Sequence, residues 1–110
     1  MPYIKQPDRM MFKLAIDKIL EEFKFVYVRS QPHGTYSELV AAADVAGALN
    51  YVLTSITLGV LKLVTDKPKY STLALFSGVL AQVGAEFYRR VVVPYEEGKI
   101  KENGDLPGFL

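Results

Sequence analysis

From Leu39 to Val64 the chain is apolar at almost every phase of a helical repeat. Leu39, Val40, Val45, Leu49, Val52, Leu53, Ile56, Val60, Leu61, Leu63 and Val64 spread round the helix instead of forming one stripe. A helix of that kind is stable in water only when most of its circumference is covered. Alanines at 41, 42, 43, 46 and 48, together with Gly47 and Gly59, let neighbouring backbones come close to it. A chain of 110 residues has little else with which to cover such a helix. The expected solution is coverage by other copies of the same chain.

Composition supports a single small domain over 1–110 with an apolar bias. Half of the residues are hydrophobic, the upper end for a soluble domain of this size. The formal net charge is +1, so bulk electrostatics favour neither nucleic acid nor an anionic membrane. With no cysteines, a disulfide scaffold and thiolate metal sites are excluded. The first residues, MPYIKQPDRM, lack the apolar core of an export signal, and the reading places the chain in the cytoplasm.

In chain order, residues 1–7 read as an extended arm anchored by Tyr3 and Ile4, and Asp8 after Pro7 reads as a helix N-cap. Phe12, Ile16, Ile19, Leu20 and Phe23 then form one helical face, with Lys13, Asp17, Glu21 and Lys24 on the other. Phe25 to Val28 fits either a last helical turn or a short extended piece. Ser30 to Ser37, with Pro32 and Gly34, reads as a loop. The second helical region starts at Ser37-Glu38 and runs to about Thr65, with Asp44 as an alternative second start. Asp66 to Lys69 is a polar connector, and Ser71 caps a third helix carrying Leu73, Leu75, Phe76, Val79 and Leu80.

Neither apolar run reads as a membrane span. No charge interrupts Val45 to Leu61 or Tyr70 to Ala85, but both fall short of the ~20 residues a span needs and carry polar residues such as Asn50, Thr54 and Gln82.

The third helix continues into the densest run of charge and aromatic residues, Glu86 to Asp105. Leu80, Val83, Gly84, Phe87 and Val91 form an apolar stripe, while Glu86, Arg89 and Arg90 project from one flank. Pro94 cannot continue the hydrogen-bond ladder and biases Val93 away from helical dihedrals, so the helix is expected to end or kink there. A short helix then begins at Pro94, with Glu96 and Glu97 in its first turn and Lys99 and Lys101 near its end. Asn103-Gly104 closes it, and 106–110 form a tail. The fold expected is all-α: three main helices plus a short C-terminal helix, a small bundle that self-associates as a dimer or higher.

Several residues are candidates for a ligand site or an interface. Asn50 in the apolar helix needs partners for its amide, and an interhelical structural bond outweighs a ligand contact. Tyr51 stands beside it. Glu86, Arg89 and Arg90 can clamp an oxyanion, although an intrahelical ion pair on a solvated face is the commoner use of that spacing. Tyr88 and Tyr95 flank the arginines and fit stacking or, more often, packing at a helix junction. His33 is the sole histidine and has no ligand-spaced companions. No phosphate-binding glycine loop, nucleophile elbow or metalloprotease motif is present. No catalytic residue, metal site or cofactor is therefore assigned, and the weight lies against an enzyme.

The chain resembles a family of small, functionally uncharacterised proteins met mostly in phages and in scattered bacteria and archaea. The resemblance runs through Pro2-Tyr3-Ile4-Lys5, Asp8-Arg9, Leu49-Asn50-Tyr51 and Glu86-Phe87-Tyr88-Arg89-Arg90. It continues through Pro94-Tyr95-Glu96 and Lys99-Ile100 to Glu102-Asn103-Gly104-Asp105, and is weakest between Phe23 and Asp44. Family members tend to carry an acidic residue before Leu-Asn-Tyr; here Ala48 takes that place, so a role for that carboxylate does not carry over. The resemblance implies no activity, but suggests that Asn50, Tyr51, Arg89, Arg90 and Tyr95 belong to one shared feature. The leading expectation is a non-enzymatic, homo-oligomeric, phage-related interaction protein. The alternative is a small helical protein binding an anionic ligand or nucleotide through Arg89, Arg90 and Tyr95 near Asn50.

Overall fold

The computed structural model of the chain describes residues 4–30 and 38–109, and for 38–40 the backbone alone. Those residues are all-α, as the apolar periodicity requires. Helix α1 spans Gln6–Arg29, α2 Glu38–Val64, α3 Tyr70–Phe87 and α4 Val93–Asn103, with a π turn over Tyr88–Val92 and a 3-10 turn at Pro107–Phe109. The chain divides into two compact units, Met1–Leu58 and Gly59–Leu110.

Helix α1 begins earlier than an N-cap at Asp8 would allow. Lys5 is the extended cap residue, and its carbonyl accepts the amides of Asp8 and Arg9, both at 3.1 Å. Pro7 sits in the first turn, where a missing N–H is no loss, and Asp8 in that turn faces the positive end of the helix dipole. Gln6 and Pro7 are thus helical instead of part of an arm, while Tyr3 lies outside the described residues. Of the two readings of Phe25 to Val28, the helical one holds. The helix stops at Ser30, whose amide and hydroxyl both donate to the Val26 carbonyl, at 3.0 and 2.7 Å. Pro32, His33, Gly34 and Ser37 fall in residues 31–37, outside the description.

Helix α2 runs unbroken through Asp44 and Gly47, so Asp44 caps no second start. One interior glycine costs a helix about 1 kcal/mol relative to alanine, too little to interrupt one of 27 residues. Continuity changes the length argument. Ala41–Val64, 24 residues with a mean hydropathy of 1.5, is long and apolar enough to cross a membrane by length and composition. The charge-free run alone fell short; Asp44 and Lys62 lie near the two ends, and the long Lys62 stem can carry its charge out of an apolar layer.

The connector after α2 is short and self-bonded: the Thr65 hydroxyl accepts the Lys67 amide at 3.2 Å. Helix α3 is capped by the extended backbone of Lys69, which takes the amides of Thr72 and Leu73, and Ser71 is already inside the first turn. Of the expected end or kink at Pro94, the end does not occur, although a separate short helix does begin at Val93, one residue before the proline. Val92 and Val93 keep helical dihedrals (φ −76, ψ −45 and φ −59, ψ −48), and the chain stays helical from Tyr70 to Asn103. Pro94 has no N–H for the Arg90 carbonyl, and its ring would crowd that carbonyl in a regular α-helix. The backbone widens instead: the Val93 amide donates to the Tyr88 carbonyl five residues back. Helix α4 ends at Gly104, whose φ of 82° and ψ of 155° suit glycine alone. Pro107-Gly108 lies in a 3-10 turn, a little regular structure in the expected tail.

Ala41 is the one fully buried residue among those described. In α2, Leu49, Leu53, Ile56 and Leu58 stay 47, 42, 49 and 52 % exposed. The stripe of Leu80, Val83, Phe87 and Val91 is likewise exposed. The residues that are partly shielded recur at helical spacing, Ile19, Phe23 and Val26 in α1 and Val45, Ala48 and Val52 in α2.

Candidate functional site

The C-terminal unit gathers most of the residues singled out from the sequence. Glu86 stands on the last turn of α3 and Arg89 and Arg90 on the π turn, three and four residues on, which puts all three on one flank. Both guanidiniums address the same carboxylate oxygen: Arg89 Nη2 lies 3.7 Å and Arg90 Nε 3.4 Å from Glu86 Oε1. Glu86 is the shielded member, its side chain 20 % exposed against 72 and 66 % for the arginines. The carboxylate therefore sits at the base and the two cations at the surface.

Tyr88 and Tyr95 do other work. Tyr88 Oη donates to Glu96 Oε2 at 3.4 Å, a long bond across eight residues. In an unbroken α-helix, positions eight apart are turned by about 80° from one another. The extra residue in the π turn takes back roughly one residue's rotation, ~100°, and brings the pair to within about 20° of one line. The Tyr95 ring is capped by Lys99, whose Nζ is 5.6 Å from the ring centroid, and the same ammonium pairs with Glu102 at 3.1 Å. Glu96 and Lys99 were not among the sequence candidates, because regular helical spacing does not connect Tyr88 to Glu96. The one signal was Pro94, four residues after the carbonyl it must leave unbonded.

Asn50 and Tyr51 belong to the N-terminal unit. The Asn50 amide oxygen accepts the Thr54 hydroxyl at 3.1 Å within α2, and Tyr51 is 74 % exposed. Asn50 is exposed in a single chain, so its polar demand is met locally and by solvent and not by burial against a second helix. Thr57 is satisfied similarly, its hydroxyl donating to the Leu53 carbonyl at 2.6 Å. Among the described residues, no three His, Asp or Glu side chains converge as metal ligands would.

One shallow groove runs along α3, lined by Tyr70, Leu73, Ala74, Ser77, Gly78 and Ala81. These positions follow one helical face, and the small side chains at 74, 77, 78 and 81 make its floor. A Cβ built on Gly78 would meet nothing within 4 Å.

Neither the curated proteins nor the solved structures contain a significant match. Residues 1–106 match the model of a domain of unknown function, DUF6899. That match covers all four helices and the whole Glu86 to Asp105 segment, and the chain belongs to the DUF6899 family.

Proposed function

We propose that this protein is a non-enzymatic helical interaction protein that works as an assembly of its own copies. The observation that carries the reading is the exposure of α2. Leu49, Leu53, Ile56, Leu58, Val60 and Val64 are between 42 and 62 % exposed in one chain. Covering the remaining surface of each is worth roughly 1 kcal/mol, about half of what full burial of such a side chain gives. A second copy is the occupant that the composition favours. A net charge of +1 leaves little repulsion between copies, and the alanines and glycines of α2 allow close backbone approach. The α3 groove offers a second place where a helix can seat closely. A phage-related role is part of this proposal, supported by the resemblance that the Glu86 to Asp105 pattern carries.

Light scattering over a dilution series tests the assembly, which is expected to persist at micromolar concentration. A strict monomer there would overturn it. A bilayer is the competing cover for α2, so the same protein is mixed with phosphatidylcholine vesicles and floated. Protein that stays below the vesicles as an oligomer supports the reading, and protein that floats with them replaces it.

A further inference from the structure

We propose that Arg89 and Arg90 form a binding site for a tetrahedral oxyanion of the phosphate type, with Glu86 as the residue that holds the two guanidiniums convergent. The site uses residues of α3 and the π turn, not those of α2, and does not depend on that reading. Three observations carry it. Both guanidiniums aim at a single oxygen, Glu86 Oε1, so they lie close together on one flank of the π turn. Their distances to it, 3.4 and 3.7 Å, exceed the ~2.7–2.9 Å of a charge-assisted hydrogen bond, so Coulomb attraction orients them while their N–H donors stay uncommitted. Neither arginine has another partner among the described residues, and both are largely exposed above the shielded carboxylate.

Charge and shape narrow the ligand. Two arginines over one carboxylate leave the trio with one net positive charge, enough to draw an anion. A planar carboxylate can satisfy one guanidinium fork, whereas a tetrahedral anion presents oxygens to two forks approaching from different directions. Among the neighbouring aromatics, the Tyr95 ring face is taken by Lys99 and the Tyr88 hydroxyl by Glu96. The arginine pair itself addresses only the oxyanion, so the phosphate is the part of a nucleotide it is expected to recognise.

The test uses the full chain, labelled with 15N and titrated with inorganic phosphate to about 20 mM at constant ionic strength, a range suited to millimolar affinity. Saturable shifts of the Arg89 and Arg90 Nε–Hε signals are expected, with AMP matching phosphate within about twofold and adenosine giving none. Arg89→Gln and Arg90→Gln should each weaken binding about tenfold with an unchanged circular dichroism spectrum, while Lys99→Gln leaves it as it was. Shifts that rise linearly without saturating, or that survive in the Arg89→Gln/Arg90→Gln double variant, would overturn the site. AMP binding more than tenfold tighter than phosphate would overturn its ligand class.

Discussion

Replacing Gly78 by alanine separates a lone helix from one seated against another. Gly78 lies in the interior of α3, on the floor of the groove between Leu73, Ala74, Ser77 and Ala81. In the single chain the added methyl meets nothing within 4 Å, so the substitution should only stabilise, by about 0.8–1 kcal/mol of helix propensity per chain. If another helix seats in the groove, the same methyl intrudes on close-packed backbone. Overpacking of that kind costs about 1–3 kcal/mol per site, and a symmetric pair has two sites, about 2–6 kcal/mol per dimer. Because both free and assembled chains share the helix gain, it cancels from the dissociation constant, which should rise about 30-fold or more. Analytical ultracentrifugation across a dilution series reads that constant, and circular dichroism in urea reads the helix gain. A Gly78→Ala protein that is more stable at every concentration and dissociates at the wild-type concentration would refute a seated groove.

The other consequences concern the C-terminal unit. Gly104→Ala should destabilise the end of α4 by about 1–3 kcal/mol, because φ of 82° with ψ of 155° is a region left to glycine, seen as earlier loss of amide protection from Ile100 to Asn103. Gly98→Ala, inside α4 with open space at its Cβ, should do the reverse and gain about 1 kcal/mol in the same exchange experiment. Pro94→Ala should return an N–H to the Arg90 carbonyl and close the π turn, rotating Glu96 about 100° away from Tyr88. Tyr88→Phe should then cost less than about 1 kcal/mol in the wild type, as an exposed, long bond implies, and nothing measurable in the Pro94→Ala background. An equal cost in both backgrounds would show that the π turn does not make that contact.

Helix content was legible because the signals are local. The period of Phe12, Ile16, Ile19 and Phe23 suffices for α1, and the Asn103-Gly104 pair marks the stop of α4 where Gly104 takes its positive φ. Boundaries went astray where two local rules competed. Asp8 and Ser71 are good cap residues, yet Lys5 and Lys69 take the cap positions and place them in first turns. Asn50 drew notice as a buried amide on the strength of its apolar neighbours, but burial is a property of what surrounds a helix, and one chain leaves it exposed beside Thr54. Of the C-terminal candidates, spacing alone joined Glu86 to Arg89 and Arg90, since those contacts need only an α-helical turn.

Pro94 shows how a residue read as a break becomes a means of placement. A proline inside a helix asks for relief from one lost bond and one steric clash. Ending the helix is one form of relief; inserting a residue into the preceding turn is another, and it keeps a continuous backbone on both sides. The choice matters for chemistry. Had the helix ended at Val93, the residues after it would have left in a direction set by a loop, and Glu96 would have had no fixed relation to Tyr88. With the π turn, α3 hands over to α4 along a helical path with a known rotation, so the phenol meets a carboxylate and the arginine pair stays on α3's flank beside Glu86. π turns recur at functional sites, and here one carries both guanidiniums. The segment's composition and its backbone irregularity therefore fall on the same few residues, Glu86 to Glu96, where the oxyanion site is proposed.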